Sequence, residues 1–253
     1  MTPDFIALLT LCAYLLIAII IITRQAKRCE HGVTLWWVFV LERILCPLLW
    51  GWKANGRCPY PDDAAAIIIA NHRGPADPAL LWNNNHLKSN RRRIRAINFL
   101  MAREIYDVKA MNWMYRALQS IPVERDGQDM TAVRESLKRL KRGELVGIFP
   151  EGGINEGEGL LKANSGVAWI AIKARVPVYP VYIQGTPIGK TMVSSLFKPS
   201  HVRLTYGDPI DLSIYFGKKL KQDELQQITD NMMQQLAKLG NTFYPQQQSE
   251  LKG

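Results

Sequence analysis

The sequence predicts an α/β fold: a largely parallel central sheet covered by helices on both faces, preceded by N-terminal membrane helices. Three observations predict it. From Ala64 onward, short apolar runs of strand length alternate with longer stretches of helical periodicity. Phe5 to Ile22 is 18 residues without a charge. Thr34 to Trp52 is a second apolar stretch, and it holds four of the seven tryptophans.

The chain has 253 residues, enough for one sizeable α/β domain and an appendage. Apolar residues make up 47%, so a packed core can form, and the formal net charge of +10 suits an anionic partner. Nucleic acid, a phosphorylated substrate and an anionic membrane face all meet that description, and the N-terminal run favours the membrane. That run is near the lower length limit for a bilayer span. It is preceded by Asp4 rather than by a basic segment, which argues against a cleaved signal peptide. Its leucine and β-branched residues cover the whole circumference, which argues against a buried core helix. Residues 1–28 therefore read as a transmembrane signal anchor. Arg24, Lys27 and Arg28 follow the run, and the positive-inside rule then puts the rest of the chain in the cytoplasm, as a single-pass protein.

In the second stretch Trp37, Val40, Leu41, Ile44, Leu45 and Leu48 recur at helical spacing. Glu42 and Arg43 lie off that stripe, and Pro47 is expected to kink or end the helix. Tryptophan favours the headgroup level, so this helix reads as lying on the cytoplasmic leaflet, with a core helix of the folded domain as the alternative. Lys53 to Asp63, with Gly56, Pro59 and Pro61, reads as a linker. Residues 29–63 thus form an interfacial, Trp-rich helix and linker.

Beyond the linker, Ile67 to Ala70 reads as a buried strand and Pro78 to His86 as a helix. Ala96 to Met101 is a second strand, and Arg103 to Leu118 a helical stretch leading to Ser120–Val123. Asp129 is placed to cap a helix running to Lys141, closed by Gly143. Leu145 to Phe149 is a strand, Asn164 to Ala174 a helix, and Val178 to Ile183 and Val202 to Tyr206 are strands. Leu225, Ile228, Met232, Leu236 and Leu239 mark a final amphipathic helix, followed by a polar tail after Tyr244.

In parallel sheets ligands gather beyond the carboxyl ends of the strands, and three polar motifs stand there. The first is Asn71-His72-Arg73-Gly74-Pro75-Ala76-Asp77. In a continuous helix His72 and Asp77 would point to different faces, but Gly74 and Pro75 predict a turn that brings Asp77 back to the imidazole. A histidine oriented by a carboxylate is the base half of a triad, and with no serine in the motif the hydroxyl to be activated would come from the substrate. The bland alternative makes His72 structural and Asp77-Pro78 a helix N-cap followed by proline at the first helical position. The second motif is Ile121 to Gly127, where Arg125 suits a bidentate grip on phosphate or is a solvated turn charge. The third is Phe149-Pro150-Glu151-Gly152-Gly153: Gly152 and Gly153 let a ligand approach the backbone, and Glu151 offers an acceptor to a substrate hydroxyl. Val176 to Val181 then enters a buried strand. No cysteine lies beyond Cys58, which argues against a cysteine nucleophile or a thiolate metal site among these motifs, and there is no H-E-x-x-H arrangement.

In this order and spacing the four motifs resemble the glycerolipid acyltransferase family, typified by 1-acylglycerol-3-phosphate acyltransferases, over roughly Ala64 to Pro187. His72 and Asp77 match the family's N-H-x-x-x-x-D, Arg125 its phosphate-binding arginine, and Val176 to Val181 its V-P-[IV]-x-P-[IV]. The family's F-P-E-G-T-R-S is kept from Phe149 to Gly152 and departs at Gly153, Ile154 and Asn155, so the arginine that would help hold an anionic substrate is replaced by Ile154. Lys162, or the cluster Lys88, Arg91, Arg92, Arg93 and Arg95, is a candidate substitute, although a basic face resting on anionic lipid is the plainer reading of the cluster.

The resemblance implies that residues 64–253 are an acyltransferase domain. It would move an acyl group from acyl-CoA or acyl carrier protein, the co-substrate, onto the hydroxyl of a lysophospholipid such as 1-acylglycerol 3-phosphate. His72 and Asp77 would be catalytic, Arg125, Glu151 and Gly152 would bind substrate, and neither cofactor nor metal is expected. Membrane lipids are the expected partners and nucleic acid is not; the oligomeric state is left open. Two alternatives are a remodelling acyltransferase using another lysolipid or an aminolipid, and a non-catalytic adaptor that binds anionic lipid. An adaptor has no need of His72, Asp77 and Glu151 together.

Overall fold

The computed structural model describes residues 2–27, 29, 31–82, 94–124, 130–189, 194–195 and 197–245. Two helices come first, α1 (Pro3–Ala26) and α2 (Val33–Trp50). The strands are β1 (Lys53–Ala54), β2 (Ala66–Ala70), β3 (Ile97–Ala102), β4 (Ile121–Val123), β5 (Leu145–Ile148), β6 (Val178–Gln184) and β7 (Arg203–Tyr206). Between them lie α3 (Asp77–Trp82), α4 (Arg103–Tyr106), α5 (Asn112–Ala117), α6 (Met130–Lys141) and α7 (Gly166–Ala174), and α8 (Gln222–Leu239) follows β7.

The strands form one sheet in the order β1-β7-β6-β2-β5-β3-β4. Strand β2 is central and pairs in parallel with both β5 and β6, while β6 and β7 run antiparallel. All five residues of β2 are buried, because helices cover both faces of the sheet. Ala66, Ile68 and Ala70 pack on the side of α2 and α3, with Leu35, Trp36, Cys46, Trp50 and Leu80. Ile67 and Ile69 pack on the side of α6, α7 and α8, with Leu140, Ile170 and Ile228. Burial on both faces explains why β2 reads as an unbroken apolar run rather than an alternating one. Each isoleucine so buried contributes about 1.5–3 kcal/mol.

Four elements differ from the sequence expectation. Lys53 and Ala54, within the stretch read as a linker, form the edge strand β1, paired with Arg203 and Leu204. The adjacent Trp52 indole N–H donates to the Leu80 carbonyl at 3.1 Å and pins the segment against α3. Arg103 to Leu118 is not one helix but two short ones, α4 and α5; the Asn112 side-chain amide donates to the Tyr106 carbonyl at 2.7 Å and closes the turn between them. Helix α2 continues past Pro47 to Trp50, since Cys46 and Trp50 are anchored in the core on either side of it. Arg95 is not on a lipid-facing surface: it is buried, and its guanidinium donates to the carbonyls of Pro61, Ala64 and Gly143, tying the amino ends of the strands together. The expected helix cap at Asp129 and the basic residues Lys88, Arg91, Arg92 and Arg93 lie outside the described residues.

Helices α1 and α2 are both long and apolar enough to cross a membrane. Along α1 only Ala26 is buried. Helix α2 is divided: Leu35, Trp36, Cys46 and Trp50 face the core, while Trp37, Leu41, Ile44 and Leu48 are exposed.

Candidate active site

The site begins where β2 ends. The Asn71 side chain accepts from the Ile183 N–H at 2.7 Å and donates to the Ile183 carbonyl at 2.9 Å. It therefore adds one more rung to the β2–β6 ladder in side-chain form, and the backbone turns away immediately after it. Asn71 is fully buried, where an unpaired amide would be costly, and both ends of its amide are satisfied.

The turn runs from His72 to Asp77. Asp77 is fully buried, and its Oδ2 accepts from the Arg73 N–H at 2.6 Å and the Gly74 N–H at 2.9 Å. The same oxygen lies 2.8 Å from His72 Nδ1. A carboxylate can only accept, so the imidazole carries its proton on Nδ1 and presents Nε2 as the basic nitrogen. The other oxygen, Oδ1, accepts from the Thr186 hydroxyl at 2.7 Å. All of these contacts point back onto the turn or across to Thr186 and none forward into α3, so the Asp77 side chain does not work as an N-cap. Gly74 is required by close approach: a Cβ there would lie 2.8 Å from the Thr186 methyl and 3.2 Å from the Pro187 carbonyl oxygen.

The imidazole stacks on Phe149, with ring centroids 4.2 Å apart and planes 17° apart, and Phe149 stacks on Phe99 at 5.7 Å. One ring face of His72 is thereby fixed by the residue that opens the third motif. The His72 side chain keeps 18% of its surface exposed.

The loop after β5 locks onto the turn from the other side. Glu151 Oε1 accepts from the His72 N–H at 3.0 Å, while Oε2 accepts from the Asn155 amide at 2.9 Å and the Leu161 N–H at 2.8 Å. Three protein donors thus converge on the Glu151 carboxylate, which the sequence reading offered to a substrate hydroxyl. The reason is the folding of the loop: the Asn155 N–H donates to the His72 carbonyl at 2.8 Å and draws the two segments together. The Arg73 guanidinium completes the join, donating to the carbonyls of Asn155 at 3.1 Å, Gly159 at 2.7 Å and Gly157. Gly152 has φ +74°, a conformation that favours glycine, and open space in front of its Cα.

The C-terminal segment buttresses the loop. The Leu160 N–H donates to the Phe243 carbonyl at 2.9 Å, and the Tyr244 hydroxyl accepts from the Ala163 N–H at 3.1 Å and donates to Asp230 at 2.7 Å. Burial pushes the Tyr244 phenol up to about 12; Asp230 and Glu151 add to the rise and the Ala163 N–H opposes it.

The structure thus brings His72, Asp77, Glu151 and Gly152 together. Arg125 lies outside the described residues; its neighbour Glu124 pairs with Arg103, past the carboxyl ends of β4 and β3. Ile154 is exposed, as is Lys162. The sequence reading missed Asn155, the roles of Asn71 and Arg73, and Thr186. Thr186 lies 109 residues from the carboxylate it touches, a separation at which no local pattern signals a contact.

Comparison with known proteins gives the family of the chain. The chain is 26% identical over 199 residues to the 1-acyl-sn-glycerol-3-phosphate acyltransferase of Bacillus subtilis, covering 79% of this chain and 93% of that protein. It is 27% identical over 189 residues to the taffazin of Dictyostelium discoideum, covering 66% and 62%. Its fold is that of the 1-acyl-sn-glycerophosphate acyltransferase PlsC from Thermotoga maritima, with a TM-score of 0.61 at 22% identity over 84% of this chain and 83% of that one. The family model named Acyltransferase matches residues 53–184, which span the turn of His72 and Asp77, the loop of Glu151 and the strands that carry them, and the chain belongs to that acyltransferase family.

Proposed function

We propose that this acyltransferase transfers a fatty acyl group from a thioester of coenzyme A or acyl carrier protein to the free hydroxyl of 1-acylglycerol 3-phosphate. The observation that carries the reading is the 2.8 Å contact between His72 Nδ1 and a fully buried Asp77 carboxylate. His72 Nε2 takes the proton of the acceptor hydroxyl as that oxygen attacks the thioester carbonyl. The tetrahedral adduct collapses, the C–S bond breaks, and the imidazolium returns the proton to the departing thiolate. Asp77 holds the tautomer and stabilises the imidazolium, in the way that an aspartate supports the histidine of a triad. No step calls on a metal or cofactor.

1-Acylglycerol 3-phosphate as acceptor is supported by the name of the Bacillus subtilis relative and by Arg125, which suits a bidentate grip on phosphate. Such a grip positions the hydroxyl as well as capturing the lipid. Ile154, exposed where the family pattern has arginine, favours a second reading in which the acceptor is a different lysolipid. Purified protein, a labelled acyl donor and a panel of lysolipids distinguish the two. The first reading expects the highest kcat/KM with lysophosphatidic acid, and Arg125→Ala to raise its KM and lower kcat. An equal or better rate with uncharged or zwitterionic lysolipids, unaffected by Arg125→Ala, favours the second.

We also propose that α1 spans the bilayer once, that the folded domain lies on the cytoplasmic side, and that α2 lies between this domain and the lipid. In support, the 24 residues of α1 extend about 36 Å, against a hydrocarbon core of about 30 Å. The Thr10 and Thr23 hydroxyls each donate to the carbonyl four residues back, which pairs these two hydroxyl protons within the helix. The exposed Trp37, Leu41, Ile44 and Leu48 give α2 an apolar outer face, and Arg24 and Lys27 follow α1's apolar run on the cytoplasmic side.

A further inference from the structure

We infer that Thr186 is a positioning residue for the acyl-transfer reaction, holding the Asp77 carboxylate in the plane from which it serves His72. The inference rests on the assignment of His72 and Asp77 as the reacting pair. Thr186 is buried on the bend that follows β6, beyond the segment matched by the family model. Its hydroxyl donates to Asp77 Oδ1 at 2.7 Å, and its methyl packs against Gly74 in the middle of the turn.

The argument is one of geometry. The three other donors to Asp77 all come from residues 72–74 and all meet Oδ2. A carboxylate held through one oxygen can still rotate about its Cβ–Cγ bond and swing away from the imidazole. The Thr186 hydroxyl holds the second oxygen from a different strand end, and two fixed oxygens define the plane. Among the described residues the other contacts of the fully buried Asp77 are all to Oδ2, so Thr186 is the residue there that satisfies Oδ1. The bend that carries Thr186 is anchored in turn: its strand, β6, is held to β2 by the Asn71 rung at Ile183, three residues earlier. The turn and the bend are therefore joined twice, once through Asn71 and once through Asp77.

Two conservative variants separate the hydroxyl from the methyl. Thr186→Val keeps the shape against Gly74 and removes the donor; Thr186→Ser keeps the donor and removes the methyl. We expect Thr186→Val to lower kcat about tenfold with KM within about twofold of wild type, and Thr186→Ser to stay within about twofold in both. Thr186→Ala supplies the comparison with serine should the valine variant fail to fold: serine must then exceed alanine in kcat by about tenfold. Initial rates are measured below the melting transition of every variant, with Asp77→Asn and His72→Ala alongside. Wild-type turnover in Thr186→Val while Asp77→Asn is inactive would overturn the inference and leave the His72–Asp77 assignment standing. Equal losses in the valine and serine variants would also overturn it, since shape rather than the hydroxyl would then matter. Full turnover in both Asp77→Asn and His72→Ala would remove the reacting pair, and Thr186 with it.

Discussion

Glu151 accepts a hydrogen bond from the backbone N–H of His72 at 3.0 Å, so the acid of the third motif holds the base of the first. Its other oxygen closes its own loop through Asn155 and Leu161. Glutamine at this position keeps the shape but sets an amide N–H against one of these donors. Glu151→Gln is therefore expected to lose about 1–3 kcal/mol of stability, the scale of a lost hydrogen bond to a charged group. It should also lower kcat more than it raises KM, because the His72 peptide shifts. Thermal melts and initial rates check both; a normal melt with a purely raised KM would return Glu151 to the role of substrate ligand.

Asp77→Asn is expected to slow acyl transfer by about 10²–10⁴-fold, the usual scale for loss of a supported base. Its effect on stability should be smaller than that of Asp77→Ala. Asparagine keeps one oxygen for the His72, Arg73 and Gly74 donors, and the Thr186 hydroxyl can turn to accept from the new amide. Alanine leaves two backbone N–H groups in the turn without an acceptor. Melting curves and rates of the two variants side by side test the ordering.

Arg73→Lys should loosen the loop of residues 155–159 without unfolding the sheet. A guanidinium reaches three carbonyls at once, and a single ammonium on a flexible stem does not reproduce that fork. Faster amide hydrogen exchange confined to this loop and its neighbours, with little change in the β2 and β6 amides, is the expected result. Exchange unchanged from wild type would show that the Asn155 N–H and side-chain contacts suffice.

Removal of residues 1–28 should leave much of the protein on membranes, because α2 keeps its exposed apolar face. Fractionation of the truncated protein, with and without Trp37→Ser and Leu48→Ser, measures the contribution of that face. A folded truncation found wholly in the soluble fraction would contradict the placement of α2 against lipid.

The sequence by itself determined the frame of this protein. The buried run Ile67–Ile69, flanked by other apolar runs and helical stretches, required a sheet covered on both faces, since only there is every side chain of a strand removed from water. His72 and Asp77, separated by Gly74 and Pro75, could be read as neighbours because their contact is local and the turn residues between them are diagnostic. The apolar Phe5 to Ile22 was legible for the same reason: one-dimensional composition carries it. Tertiary structure alone decided the rest. The edge strand β1 depends on a partner about 150 residues later, and a run of two residues, Lys53 and Ala54, is too short to carry a strand signal of its own. Arg95 looked like a member of a surface cluster, yet three carbonyls from distant segments bury it. Glu151 came to accept from the His72 N–H, and Thr186 came to lie against Asp77, because hydrogen bonds between loops depend on where the strands end in space. Sequence spacing records only how far apart those ends lie along the chain.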